Sequence, residues 1–251
     1  MSSIAMSCNV YNDALALRGM LEMSATFFDE LFVVHSGPNG AYSTDGTIEL
    51  CEQFNVKLVF DEINKGFGHI RSRLIHEHGC EWAMILDADE RFYPATHKMI
   101  CHGDTVWDIN EMWKSPGLSV EKQEFYNAGG YLKDVIGKTM GLAILTSRRH
   151  WLDFSFTNPT QNWLIIPDFQ LRIVRNSEFL EYDRKVLMHE RLIDTRTGVN
   201  PEMVFADQYL FHDHFHPFFR KINPGHKEFN ELNYRSLEGG KPLILQNEKP
   251  E

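Results

Sequence analysis

The sequence predicts an α/β fold with a mostly parallel central sheet, and three observations carry that expectation. Strand-like and helix-like patterns alternate along residues 4–86. The strongly apolar runs, such as residues 31–34 and 82–86, have strand length and fall well short of the ~18–20 residues of a membrane span. The composition is that of an ordinary globular chain. Of 251 residues, 43% are hydrophobic and 24% charged, which excludes a disordered or fibrous chain.

The elements follow in order. Ile4–Val10 is an apolar run ending at the turn residues Asn12 and Asp13. Residues 14–26 place Leu15, Leu17, Met20, Leu21 and Met23 at helical spacing. Residues 31–34 form the second strand, followed by the turn-rich HSGPNGAYSTDG. Residues 47–54 suit a helix, 56–60 a strand, 68–78 a helix and 82–86 a fourth strand. Strands separated by helices in this way imply right-handed crossovers and a parallel sheet. Beyond residue 92 the pattern changes. Residues 142–146, 170–174 and 186–189 read as strands and 201–211 as a helix. Residues 216–251 read as a short helix or two and a loose tail. The chain is expected to form one domain over 1–251, with halves 1–92 and 93–215 and the tail 216–251.

Charge and cysteines narrow the function. The formal charge is −10 and the isoelectric point about 5.6, so no general electrostatic grip on nucleic acid is evident. A local basic patch is still available from Arg148, Arg149, Arg172, Arg175, Arg184, Lys185, Arg191 and Arg196. Cys8, Cys51, Cys80 and Cys101 form no C-x-x-C pair, which argues against a zinc ribbon and fits a reducing compartment. The first residues lack a basic stretch followed by a long apolar one, so no secretion signal is read. A soluble, cytoplasmic protein is expected.

The sharpest chemical signal is Ile85-Leu86-Asp87-Ala88-Asp89-Glu90. Strand polarity puts Asp87 and Asp89 just past the strand end, where α/β sheets bind ligands. Two carboxylates there suit a hard cation, Mn²⁺ or Mg²⁺, that bridges to substrate phosphates. A solvated acidic turn is the plain alternative. A late string, His212-Asp213-His214-Phe215-His216, offers His214 or His212 as a further metal ligand, with surface histidines as the alternative.

The ordered set of motifs resembles the family-two inverting glycosyltransferases of GT-A fold. It consists of Asn12-Asp13 after the first strand, Ser43-Thr44-Asp45-Gly46-Thr47 after the second, Asn64-Lys65-Gly66 with Arg71 after the third, and then the D-x-D segment. Phe169-Gln170-Leu171-Arg172-Ile173-Val174-Arg175 and Val186-Leu187-Met188-His189-Glu190 are similar to the branch acting on bacterial surface sugars. The resemblance is clear over residues 3–92, moderate over 165–192 and poor elsewhere. It implies a Rossmann-like nucleotide-sugar-binding sheet with a C-terminal acceptor-side half. The donor would be a sugar nucleotide, with a UDP-sugar favoured, its diphosphate held by a divalent ion at Asp87 and Asp89, Asp89 being the direct ligand.

Asn12, Asp13, His35, Asp45, Arg71 and Asp87 are the expected donor-binding residues. The family's acidic residue after the second strand is replaced here by Val33-Val34-His35-Ser36, so His35 or Ser36 would take that contact. Asp45 has a helix cap as its alternative role. Glu190 is the first choice for the base that deprotonates the acceptor hydroxyl, and Asp168 the second. A cap or a salt bridge near Arg191 is the structural alternative for Glu190. Trp107, Trp113, Trp151, Trp163, Tyr126 and Tyr131 could line an acceptor site, or pack a core or lid. A saccharide acceptor is favoured over a hydroxymethylated base in DNA modified by a virus-encoded enzyme. A non-catalytic binding module of the same fold is the remaining alternative.

Overall fold

The computed structural model describes residues 2–92, 98–100, 106–108, 119–120, 128–150, 168–184, 190–206 and 211–214. The first half alternates as its sequence implies. Its elements are β1 (Ile4–Val10), α1 (Ala14–Ser24), β2 (Glu30–Gly37), α2 (Thr47–Gln53), β3 (Lys57–Glu62), α3 (Phe67–His76) and β4 (Trp82–Asp87). After a two-residue turn come β5 (Glu90–Arg91), β6 (Lys98–Ile100), β7 (Val106–Asp108), β8 (Ser119–Val120) and α4 (Ala128–Lys138). The C-terminal half adds β9 (Ala143–His150), β10 (Asp168–Arg175), β11 (Leu180–Tyr182), β12 (Leu192–Asp194), β13 (Met203–Phe205) and β14 (Phe211–His214).

The main sheet runs β3-β2-β1-β4-β10-β9-β14-β5, with β13 also paired to β9. β1, β2, β3 and β4 are mutually parallel, whereas β10 enters antiparallel between β4 and β9. The chain reverses its lateral direction at β1: β2 and β3 lie on one side of it and β4 on the other. Such a reversal opens a crevice at the carboxyl ends of the strands.

Both faces of this sheet are covered, which is why its strands read as nearly unbroken apolar runs. Ile4, Met6 and Cys8 of β1, with Trp82, Met84 and Leu86 of β4, pack with Leu17, Met20 and Leu21 of α1 and Leu132 and Ile136 of α4. Alternate residues point the other way. Phe32 and Val34 of β2 and Ala83 and Ile85 of β4 meet Ile70, Leu74 and Ile75 of α3, with Leu180, Tyr182 and Leu192 beyond. The result is an α/β protein with helices on both sides of a mostly parallel sheet.

Two expectations need correction. The second strand extends past residue 34, because His35 and Ser36 continue the parallel register with Phe60 and Asp61 of β3. The chain then turns at Gly37, where a Cβ would come 1.8 Å from the Ala41 carbonyl oxygen. The helix expected over 201–211 is also absent from its described part. Met203–Phe205 is β13, and β14 begins at Phe211. The exposed flank of β9 supplies ladder partners for both, with Phe205 opposite Leu145 and Phe211 opposite Ser147. Tertiary pairing here outweighs a short local pattern. The strand expected at 186–189 and the tail 216–251 lie outside the described residues.

Candidate functional site

β4 delivers Asp87 to the crevice, its Cα opposite Asn9 of β1. The two oxygens of Asp87 meet different arginines: Oδ1 lies 3.3 Å from Arg71 Nη2, and Oδ2 lies 3.2 Å from Arg172 Nη2. Both are longer than the roughly 2.7–2.9 Å of a tight charge-assisted bond. The Asp87 side chain keeps 44% of its surface exposed. Glu90, fully buried, is held differently. It accepts from Arg172 Nη2 at 2.6 Å and from the Asp87 backbone N–H at 3.0 Å, and Arg148 Nη1 stands 3.7 Å away. Glu90 therefore fastens the turn, while Asp87 presents loosely held lone pairs outward. Asp89, the expected direct ligand, is buried: only 4% of it is exposed.

Glu190 reaches the same cluster from the segment before β12. Its Oε2 lies 3.3 Å from Arg71 Nε, and its side chain is 7% exposed. That contact lacks hydrogen-bond alignment, so among the described residues the Nε proton of Arg71 is unpaired. Arg71 thus bridges the candidate base and the exposed carboxylate. Burial opposes its charge, but Asp87 and Glu190 outweigh burial and raise its pKa. Arg172 behaves alike, with Glu90 and Asp87 overcoming desolvation. Tyr182 packs its ring under Arg71, the guanidinium carbon 6.0 Å from the centroid. Its buried hydroxyl has no hydrogen-bond partner among the described residues, and burial raises its pKa.

A second cluster forms at the ends of β1 and β2. His35, buried, accepts the Ser43 backbone N–H on Nε2 at 3.1 Å, with Ser43 Oγ at 2.8 Å. Accepting an amide proton requires the neutral ring, and burial lowers its pKa accordingly. Asn12, with a left-handed φ of 48°, donates its N–H to Ser43 Oγ at 2.9 Å and accepts from Thr44 N–H at 2.9 Å. Asp45 serves two helix starts. It accepts from Ala14 N–H at 2.8 Å and from Thr47 N–H at 3.1 Å. Asp13, also buried, donates its N–H to Thr47 Oγ1 at 3.1 Å. Tyr11, Tyr42 and Phe60 surround His35 with centroid distances of 5.8, 6.2 and 5.2 Å. Tyr42 and Phe60 are exposed.

The remaining candidates are placed by backbone alone. Asp168 opens β10, which runs antiparallel to β4, so it starts at the pole where β4 ends. His214 sits opposite Glu90 and His212 opposite Arg148 in the β14 register. The side chains of Asp168, His212 and His214 lie outside the described residues, as do those of the six aromatics considered for an acceptor site. The described arginines of the supposed basic patch are individually engaged rather than gathered into one free face. Besides Arg148 and Arg172, Arg175 pairs with Glu81 at 3.0 Å, Arg184 with Glu181 at 3.6 Å, and Arg191 donates to Asn200 at 2.9 Å. Arg196 pairs with Asp194.

Sequence reasoning missed the roles of Glu90, Arg172 and Tyr182. A charged residue inside the apolar run Leu171-Arg172-Ile173-Val174 was the available signal. It missed Asp61 too, a buried carboxyl on which Lys65, His69 and Arg73 converge. Burial opposes its charge, but these partners and the Glu62 N–H hold its pKa well below the usual carboxylate range.

No family model and no curated protein matches this chain. Among solved structures it is similar to Staphylococcus aureus TarS, at 14% identity and a TM-score of 0.48, over 88% of this chain and 39% of that one. For TarS 1–349 the coverage is 88% and 63%, with the same identity and TM-score. A third likeness is to Mycobacterium tuberculosis glucosyl-3-phosphoglycerate synthase in complex with Mn²⁺, UDP-glucose and phosphoglyceric acid. There the identity is 18% and the TM-score 0.30, over 37% of this chain and 35% of that one. The chain thus spans less than two thirds of the length of each.

Proposed function

We propose that this chain is a metal-dependent inverting glycosyltransferase of GT-A fold, moving a sugar from a uridine-diphosphate donor to a hydroxyl of a saccharide. One observation carries the reading. At the reversal point of the sheet stands a half-exposed carboxylate, Asp87, and the Arg71 that touches it also touches a buried glutamate, Glu190.

The donor set of this site fits a hard cation. Among the described residues no three His, Cys, Asp or Glu side chains are grouped to hold a metal by themselves. Magnesium-type sites, however, commonly use one or two carboxylates and complete their shell with substrate phosphates and water. Asp87 offers such a ligand, and Asp89, His212 and His214 are the candidates for a second. Once bound, the cation would offset charge on the departing diphosphate. Arg71 and Arg172 add fixed positive charge at the same pole. Glu190 takes the acceptor's proton, with Asp168 as its rival, and no protein nucleophile is required. Asn12, Asp13, His35 and Asp45 shape the nucleotide side of the crevice, where the exposed rings of Tyr42 and Phe60 offer an apolar surface for a base.

A saccharide acceptor is favoured over DNA because the described arginines are occupied by carboxylates and an amide, leaving little free charge to grip phosphates. Among the described residues no helix is long and apolar enough to cross a membrane.

The test is a thermal-shift panel of nucleotide-sugars with and without Mn²⁺. One donor should raise the melting temperature in a Mn²⁺-dependent way, since a ligand of the folded state stabilises it by mass action. Turnover of that donor undiminished by chelator would overturn the metal dependence. Absence of any donor response would overturn the reading itself.

A further inference from the structure

The acidic turn that carries Asp87 rests on a buried guanidinium that donor chemistry does not call for. Arg91, fully buried in β5, donates Nη1 to the Ala88 and Glu90 carbonyls, each at 2.7 Å, and Nη2 to the Ala16 carbonyl of α1 at 2.9 Å. The planar fork of an arginine spans three acceptors in this way, and a lysine ammonium cannot reproduce that geometry.

Room for the fork comes from Gly19 on α1. A Cβ there would lie 2.6 Å from Arg91 Nη2 and 3.2 Å from Cζ and Nε. Glycine is disfavoured inside a helix relative to alanine, so its presence at this point has a steric reason. One residue further on, the buried Phe92 N–H donates to Ser24 Oγ at 3.0 Å, and the Phe92 ring meets Phe27 and Phe28 edge-on. The segment after β4 is therefore pinned to α1 at two points.

We propose that Arg91, admitted by Gly19, is a positioning residue that sets the turn Asp87-Ala88-Asp89-Glu90 for the cation and diphosphate of the donor. Its consequence for ligand binding rests on the function proposed above; its consequence for the turn does not. Arg91 acts through the backbone carbonyls on either side of Asp89, and its fixed charge beneath the turn opposes the repulsion among three carboxylates. Residues that orient a metal ligand in this indirect way typically govern 10–100-fold in affinity.

The experiment compares wild type, Gly19→Ala, Arg91→Lys and Ile75→Val, the last a buried change on the opposite face of the sheet. Two quantities are read: the affinity for Mn²⁺ with UDP by calorimetry, and amide hydrogen exchange over residues 88–92. Gly19→Ala and Arg91→Lys should weaken Mn²⁺–UDP binding about 10–100-fold and speed exchange in the turn by at least about tenfold. Ile75→Val should do neither. If Gly19→Ala does not fold, Arg91→Lys carries both readouts. Unchanged exchange and affinity in the folded variants would overturn the clamp. A wild type that binds no Mn²⁺–UDP would instead overturn the donor-site reading, and the exchange data would still decide the clamp.

Discussion

Two clusters flank the crevice at the sheet's reversal point, and they are held in different ways. Around Asp87 the partners are full charges: Asp87, Glu90 and Glu190 against Arg71, Arg172 and Arg148. Several of those contacts exceed 3 Å, and among the described residues the buried Nε protons of Arg71 and Arg172 and the Tyr182 hydroxyl have no hydrogen-bond partner. Around His35 the bonds are mostly short, many to backbone amides, and they close on one another through Ser43, Asn12, Asp45 and Thr47. The lesson concerns readiness. Buried polar groups are ordinarily satisfied, so a charged cluster with loose contacts has capacity left for a ligand. The tight cluster has used its capacity on the scaffold.

The largest effect that would test this contrast is on turnover. Glu190→Gln keeps shape but cannot accept a proton, so kcat should fall about 10²–10⁴-fold with donor affinity little changed. Near-wild-type turnover in this variant, with an inactive Asp168→Asn, would transfer the base role to Asp168. Next comes the division of labour within the charged cluster. Asp87→Asn should lower activity about 10²–10³-fold while the protein stays folded, because its side chain is half-exposed. Glu90→Gln should behave in the opposite sense, costing about 3–5 kcal/mol of stability by leaving Arg172 buried with a weaker partner. Chemical denaturation beside initial rates separates the two outcomes. Equal effects of both variants on both measurements would dissolve the distinction between a ligand carboxylate and a structural one.

The contrast also explains what could be read from the chain alone. The parallel half was legible because β1, α1, α2, α3 and β4 are local patterns whose tertiary partners reinforce them. The D-x-D segment was legible because strand polarity fixes where it emerges. The charged cluster was not, since Arg172 lies 82 positions from Glu90 and 85 from Asp87. Nothing local announces that an antiparallel β10 will slot beside β4. The same non-local pairing turned residues 203–205 from an expected helix into a strand on the flank of β9. The burial of Asp89 was likewise not legible, since nothing local in a carboxylate after a strand end announces that the turn will be tied to α1.

The next effect is on stability against pH, and it belongs to the neutral hydrogen bonds. His35 is kept below its ordinary pKa by burial, and His78, which accepts the Cys80 N–H at 3.1 Å, is pushed down to about 4. Histidines in the unfolded chain titrate near ~6.5. Below that pH the unfolded state binds protons that the folded state refuses, so stability present at neutral pH is lost on acidification. For His78 this amounts to about 2 kcal/mol between pH 7 and pH 5. Asp61 contributes nothing in that window, because its partners keep it ionised far lower. Urea unfolding at the two pH values should show a smaller drop in His78→Gln than in wild type, and a smaller one again when His35→Gln is added. An undiminished drop in both would clear these imidazoles of the effect.

The smallest effect separates scaffold from donor contact at Asp45. Its two oxygens serve two helix starts, Oδ2 on Ala14 N–H and Oδ1 on Thr47 N–H and Oγ1. Asp45→Ala removes acceptors from both helices at once, and losing a capping side chain costs about 0.5–2 kcal/mol. Asp45→Asn retains one oxygen and replaces the other by an amide that cannot accept, so it should lose roughly half as much. If the residue is purely scaffold, both variants shift the denaturation midpoint in that ratio, while the donor KM of the folded enzyme moves less than about threefold. If Asp45 also touches the nucleotide, Asp45→Asn raises the donor KM well beyond its effect on stability. Tight hydrogen bonding would then not exclude a residue from the donor site, and the distinction between the two clusters would rest on charge rather than on spare capacity.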